Sequence, residues 1–278
     1  MNVVGLGKAG CSIAGVLSQY PQYTVYKVDA GIEPGSRIFN IPEQEDPEKY
    51  EESLPSMKFF FQDIKDEVIF IVSGGAKVAG ACLAILEQIK HCKITILYIK
   101  PNTATLDSDK ANMQRVCFGV LQEYARSAVF ERFIAIDNNV VEDILGDVPI
   151  IGYYDKLNEL IVWALHMFNV LKHTEPVMGK INKTKITSRI STLGTVDLES
   201  GEEKLFFPLD NVREKSYYYV LRNEDLMASG KLLRKINKQV ESLIEEGARG
   251  SYAIYSSEHD QNFILCAAHT PYIQPPQG

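Results

Sequence analysis

Along the first 150 positions, apolar residues fall in short continuous runs, separated by stretches in which they return every third or fourth residue. The runs at 3–5, 24–28, 68–72, 94–99 and 133–136 are bounded by turn residues and are too short for helices, so they predict buried strands. Between them, 12–20, 78–90 and 109–126 carry helical spacing. Such alternation predicts a parallel sheet wrapped by helices. Residues 30–55 break the rhythm: proline, glycine and glutamate dominate, which predicts a surface excursion with little regular structure.

From Tyr154 the pattern changes. Leu157, Asn158, Ile161, Ala164, Leu165, Phe168 and Leu171 recur at helical spacing with few charges before Lys172, which predicts one long, mostly buried helix with Trp163 as a packing residue inside it. Beyond it, strand-like runs at 188–193, 217–221, 252–255 and 263–267 surround one amphipathic helix. That helix turns Leu233, Ile236, Val240, Leu243 and Ile244 inward and ends at Gly247. Tyr217, Tyr218 and Tyr219 read as a strand with one aromatic face inward. The expectation is an α/β protein: a parallel-sheet domain over 1–173 that includes the long central helix, then a smaller α+β C-terminal domain over 174–278.

Composition narrows the partners more than the fold. With 278 residues, 45% of them hydrophobic, the chain can bury a sizeable core. A net charge of −7 builds in no general attraction to nucleic acid or anionic membrane. Neither partner is expected. The five cysteines (Cys11, Cys82, Cys92, Cys117, Cys266) are scattered without a CxxC pair, and no apolar run approaches membrane-spanning length, which together point to reduced thiols in a cytoplasm. His259, Asp260 and His269 lack ligand spacing, so no metal site is assigned there.

The first strand runs straight into Gly5-x-Gly7-x-x-Gly10, a turn that frees backbone N–H groups to face a phosphate at a helix N-terminus. Asp29 closes the second strand about where a ribose-binding acid belongs, so this stretch alone favours a Rossmann-type NAD(P)-dependent oxidoreductase. Backbone geometry alone is the competing reason for the glycines. A second glycine-rich turn follows at Ser73, Gly74, Gly75, Ala76 and Lys77, again between a strand and a helix. A dinucleotide fold needs no second cradle, whereas two turns converging at one sheet edge grip the phosphates of one nucleotide.

These segments, GLGKAGCSIA and SGGAKVAGA, resemble the first and the signature phosphate loops of the tubulin/FtsZ family. YIKPNT, with Lys100 and Pro101, is similar to the family's stretch after its corresponding strand. IAIDNNVVEDIL resembles the family's Asp-Asn segment before a short helix, GYYDKLNELI the start of its central helix, and GARGSYAIY its second-domain helix end and following strand. Order and spacing match over most of the chain. The resemblance implies a guanine-nucleotide-binding protein that holds GTP or GDP with Mg2+ as companion ion and self-associates head to tail into a homopolymer. Its phosphate contacts would be Gly5, Gly7, Lys8, Ala9, Gly10 and Cys11 with Gly74, Gly75, Ala76 and Lys77. Its guanine contacts would be Asn138, Tyr154 and Asn158. The chemistry is coherent, since Tyr154 offers a ring for stacking while Asn158, one turn later on the same side, offers a donor and an acceptor.

The departures bear on activity. Lys77 and Val78 stand where the family has threonine and glycine, so the second loop loses a hydroxyl and freedom for positive φ; Lys77 offers a charge to a phosphate or points to solvent. Asp107 and Arg115 are candidates for the ribose contact. After the central helix the family carries N-x-D-x-x-D, and the aligned residues here are Asn182, Lys183, Thr184, Lys185, Ile186 and Thr187. Both acids are replaced. A threonine hydroxyl does not act as a resting general base, so no catalytic residue is assigned and hydrolysis is expected to be weak or absent. Lys180, Lys183, Lys185 and Arg189 would clamp a neighbour's phosphates or form a solvated face. A degenerate, nucleotide-free interaction protein on the same fold stays open beside the filament reading, as does the oxidoreductase.

Overall fold

The computed structural model describes residues 1–102, 106–228, 230–258 and 260–274. They divide into two compact units, Met1–Val162 and Trp163–Gln274. The division falls inside the long helix, ahead of residue 173.

In the first unit, strands and helices alternate: β1 (Asn2–Leu6), α1 (Gly7–Leu17), β2 (Thr24–Ala30), β3 (Ile38–Ile41), α2 (Pro47–Glu52), β4 (Glu67–Ser73), α3 (Cys82–Gln88), β5 (Lys93–Lys100), α4 (Ser108–Arg126), β6 (Arg132–Asp137), α5 (Asn138–Leu145) and α6 (Tyr153–Lys172). The sheet order is β3-β2-β1-β4-β5-β6 and every pairing is parallel. Central strands covered on both faces need continuous apolar runs, and Val68 to Val72 are all at most 3% exposed. Tyr98 anchors one face, stacked on Phe133 with α4's Phe118 edge-on, while its buried hydroxyl donates to the Gln114 carbonyl at 3.2 Å.

Three expectations are corrected here. The first helix begins at Gly7 rather than residue 12, because the left-handed φ of +71° at Gly7 turns the chain from strand into helix without a loop. The helix expected from residue 78 opens as a 3-10 turn, Lys77–Ala81, before α3. Residues 30–55 hold β3, paired in register from Lys27↔Ile38 to Ala30↔Ile41, and α2, which starts at Pro47 and buries Tyr50. Four strand residues and one helical turn are too few to show a period, so their tertiary partners decide.

The second unit contains β7 (Met178–Gly179), β8 (Ile190–Val196), β9 (Glu203–Leu205), β10 (Glu214–Arg222), α7 (Asn223–Ala228), α8 (Leu232–Leu243), β11 (Arg249–Ser257) and β12 (Phe263–Thr270). Its mixed sheet runs β8-β12-β10-β11-β7, with β9 paired to β8. Only β10 and β11 are parallel; the other pairings are antiparallel. Tyr217, Tyr218 and Tyr219 are all buried, so both faces of β10 are aromatic rather than one. Tyr217 and Tyr219 join the core under α8 with Ile236 and Val240, and Tyr218 meets Phe168 and Tyr255 on the opposite face. Helix α8 stops at Leu243, short of Gly247, because the Leu243 carbonyl accepts from Lys215 Nζ at 3.2 Å and from the Tyr217 hydroxyl at 3.3 Å.

Lys215 is the electrostatic pivot of this unit. Its ammonium lies 2.7 Å from Glu203 and 3.1 Å from Glu245; burial pulls its pKa down, and the two carboxylates more than offset that. Among the described residues no helix is long and apolar enough to cross a membrane. Replacing Lys215 by Met strands the Glu203 carboxylate, and we expect a loss of about 3 kcal/mol, read as a lower midpoint in chemical denaturation. An unchanged midpoint would show that the network contributes nothing.

Candidate functional site

Parallel strands all finish at one edge, so the residues that follow β1, β4, β5 and β6 gather there. Connections from β1 lead outward to β2 and β3, and β4 begins on its other side; the crevice beyond such a reversal is where an open α/β sheet receives a ligand. Gly7 follows β1 and Gly74 follows β4. Both glycine turns therefore lie at the reversal.

The two turns touch. A Cβ on Gly7 would stand 2.8 Å from Val78 Cγ1 of the second turn. Gly10 and Gly5 have a packing reason of their own: a Cβ at Gly10 would meet the Ile71 carbonyl oxygen at 2.5 Å, and one at Gly5 the Gly10 oxygen at 2.4 Å. Gly74 is likewise confined by the Tyr98 hydroxyl, 2.3 Å from where its Cβ would be, and Gly75 by Pro101, at 3.2 Å. None of residues 74–78 takes a positive φ, so Val78 strains nothing there.

No side chain caps α1, which leaves the N–H groups of Gly7, Lys8 and Ala9 without acceptors inside the helix. Lys8, Ala9, Ala76 and Lys77 are exposed beside them. Cys11 faces inward instead: its thiol donates to the Gly5 and Val28 carbonyls at 3.3 and 3.5 Å. Burial, with the nearby Asp29 charge, pushes its pKa up to about 12. Asp29 turns its carboxylate onto the Ala30 N–H at 2.9 Å, and burial raises its pKa.

On the other flank, Asn158 is 7% exposed and its Nδ2 donates to Ser12 Oγ at 3.0 Å, tying α6 to α1. Tyr154, one turn earlier, is 64% exposed, with its ring edge-on to Tyr153. The Tyr153 hydroxyl donates to Glu142 of α5, and burial together with that carboxylate raises its pKa to about 12. Asn138 opens α5 next to Asp137, whose Oδ1 accepts from Asn139 N at 3.0 Å and whose Oδ2 meets Lys100 Nζ at 2.7 Å. The Asn138 Oδ1 is buried and has no hydrogen-bond partner. A buried acceptor left so costs about 1–3 kcal/mol, which a donor on a ligand would recover.

Other candidates are engaged locally. Asp107 caps α4 by accepting from Lys110 N at 2.9 Å, which lowers its pKa, and Arg115 donates to Asn112 at 2.9 Å. In the second unit, the loop at 182–187 is pinned by Glu214, which accepts from Lys185 N at 2.9 Å and pairs with Arg249 at 2.7 Å. Arg249 also donates to the Lys183 carbonyl at 3.3 Å. An acid from β10 thus enters a stretch that carries none of its own. His259 lies outside the described residues, among which no three His, Cys, Asp or Glu side chains group as metal ligands.

Sequence reasoning missed Ser12, Tyr153 and the Lys100–Asp137 pair. Starting the helix at residue 7 would have exposed Ser12, because positions 8 and 12 then share a face. Among the described residues, the first unit has a hollow of about 330 Å³ beside α2, α3 and α4 that Ala79 and Gly80 help to line, and the second unit has one of about 370 Å³ beside α7, α8 and β11. Cys11, buried and held protonated at pH 8, is expected to react with iodoacetamide at least tenfold more slowly in the native protein than after denaturation, by peptide mass spectrometry. Equal rates would place it on an open surface.

No family model and no curated protein match the chain by sequence. Solved structures match it in fold. A GTPγS-form protofilament of Bacillus thuringiensis serovar israelensis TubZ aligns with a TM-score of 0.75 at 14% identity, covering 99% of this chain and 87% of that chain. The GDP-bound monomer of CetZ1 from Haloferax volcanii aligns at 0.70 and 14%, covering 99% and 95%. An empty FtsZ dimer from M. jannaschii aligns at 0.69 and 12%, covering 97% and 87%. At these identities the likeness is one of fold.

Proposed function

We propose that this chain, which has the tubulin/FtsZ fold, binds a guanine nucleotide at the carboxyl edge of its parallel sheet and assembles head to tail with copies of itself in the cytoplasm. The observation that carries the reading is the buried, unpartnered Oδ1 of Asn138 on the same unit as an uncapped α1 N-terminus and a buried Asn158. A nucleotide supplies both complements: anionic oxygens for the helix end, and ring N–H groups for the amide oxygens. Similar folds lend support, since the matched TubZ is a GTPγS-form protofilament and the matched CetZ1 is GDP-bound.

In this reading the first-turn N–H groups of α1 and the exposed Lys8 and Lys77 hold the phosphates, with Mg2+ carried on the phosphate oxygens. Asn138 and Asn158 read the base, and the exposed Tyr154 ring covers its face. The role of the loop at 182–187 is to bring positive charge to a neighbour without a base to activate water, so turnover is slow. An interaction protein that binds no nucleotide predicts an empty site, and an oxidoreductase predicts a nicotinamide response.

Protein denatured directly after purification should release about one guanine nucleotide per chain, read by chromatography. Asn138→Ala should weaken GTP binding roughly tenfold or more, for the loss of about 1.4 kcal/mol or more. An empty extract from a protein that also fails to bind GTP on titration would select the nucleotide-free reading. The slow-turnover claim has its own test. Introducing Thr184→Asp with Thr187→Asp should raise GTP hydrolysis at least tenfold in GTP-sedimented polymer, and wild-type protein already hydrolysing at the variant's rate would overturn it.

A further inference from the structure

Helix α4 buries Leu121 and Ala125, yet Met113, Val116 and Val120, spaced three and four apart, form a second apolar row along it. Val116 is 65% exposed. With Leu83 of α3, this row lines the hollow of about 330 Å³ in the first unit, a volume within the range of about 300–1,000 Å³ usual for small-molecule sites. Gly80 lets α2 come close enough to bound that hollow, because a Cβ there would collide with the carbonyl oxygen of Pro47, the first residue of α2.

The same helix brings Glu48 and Glu51 to the apolar walls. Three residues apart, they stand on one face of α2 as like charges that repel. Lys49 answers neither, since its ammonium turns to Asp46 at 3.2 Å and Glu45 at 3.9 Å. Among the described residues neither glutamate side chain has a hydrogen-bond or ion-pair partner. The positive end of α2 accounts for Glu48 in its first turn. It does not account for Glu51, which lies near the other end, where the helix dipole opposes a carboxylate.

We infer that this hollow is a binding site for a small amphipathic cation, whose apolar body lies against Leu83, Met113, Val116 and Val120 while its ammonium group is held by Glu48 and Glu51. Charge complementarity sets the sign of the ligand. The hollow of the second unit has no charged lining residue and therefore no such preference. The inference does not depend on the guanine-nucleotide reading.

The test titrates the full chain, labelled with 13C at the methionine methyls, with octylammonium at pH 7. Octanoate serves as the same chain length with the opposite charge, and butylammonium as the shorter cation. Octylammonium should shift the Met113 methyl, with a dissociation constant at least tenfold below that of octanoate. Butylammonium should bind at least tenfold more weakly than octylammonium, because it buries four fewer methylenes. Glu48→Gln with Glu51→Gln, two exposed positions, should bring the octylammonium and octanoate affinities within threefold of each other, and Val116→Gln should weaken octylammonium at least fivefold. Met178 and Met227 mark the hollow of the second unit. Equal affinity for the two charges in wild type, a preference that survives in the double variant, or shifts at Met178 and Met227 with Met113 unmoved would each overturn the inference. A Met113 methyl that stays still up to about 20 mM octylammonium, a concentration that even a weak small-molecule site would register, overturns it as well. None of these outcomes bears on the nucleotide content of the purified protein, so the two readings fail separately.

Discussion

The close approach of α1 to the sheet is the constraint on which the site depends. Gly5 and Gly10 let backbone meet backbone at distances no Cβ would tolerate, and this seats the first turn of α1 over the ends of β1 and β4. Two consequences follow from that seating. Gly7 comes against Val78 of the second turn, and Ser12, farther along the same helix, comes within 3.0 Å of the Asn158 amide. A helix held one side chain farther out would break both contacts, because hydrogen bonds do not stretch by the width of a methyl group. The glycines thus serve packing first, and the chemistry of the edge is built on that packing.

Charge is placed by the same logic of strand ends. Lys100 and Asp137 are register partners at the ends of neighbouring parallel strands, so their side chains meet and the carboxylate still has an oxygen free to cap α5. That cap fixes the backbone from which Asn138 starts. In the second unit, Glu214 and Arg249 are register partners at the starts of β10 and β11, and together they grip the backbone of the lysine-bearing loop at 183 and 185. The lysine side chains at those positions remain exposed. Hydrogen bonding to the backbone holds the loop while its charges stay in water, an arrangement suited to presenting positive charge outward.

Much of the architecture was legible in advance because a covered parallel strand must be apolar throughout. The run at 68–72 satisfied that requirement so fully that it could be read as little else, and all seven residues of the stripe from Leu157 to Leu171 are buried in α6. Elements failed to show where their stability is borrowed. The four-residue β3 relies on β2, the single turn of α2 on a buried Tyr50 and a proline start, and the end of α8 on side chains more than 20 residues away. No local period records such debts.

By itself the amino-acid sequence determined the strand-helix alternation, the two glycine turns and the Tyr154–Asn158 spacing, since each follows from local backbone geometry or from the 3.6-residue repeat. Tertiary structure alone decided which glycines answer to packing, that Cys11 points inward, that the Asn158 amide meets Ser12, and that Asn138 keeps an unpaired oxygen. Those outcomes depend on pairs as far apart as residues 12 and 158. A residue's type says what it is able to donate or accept, and only its neighbours in space say which of those capacities is already spent.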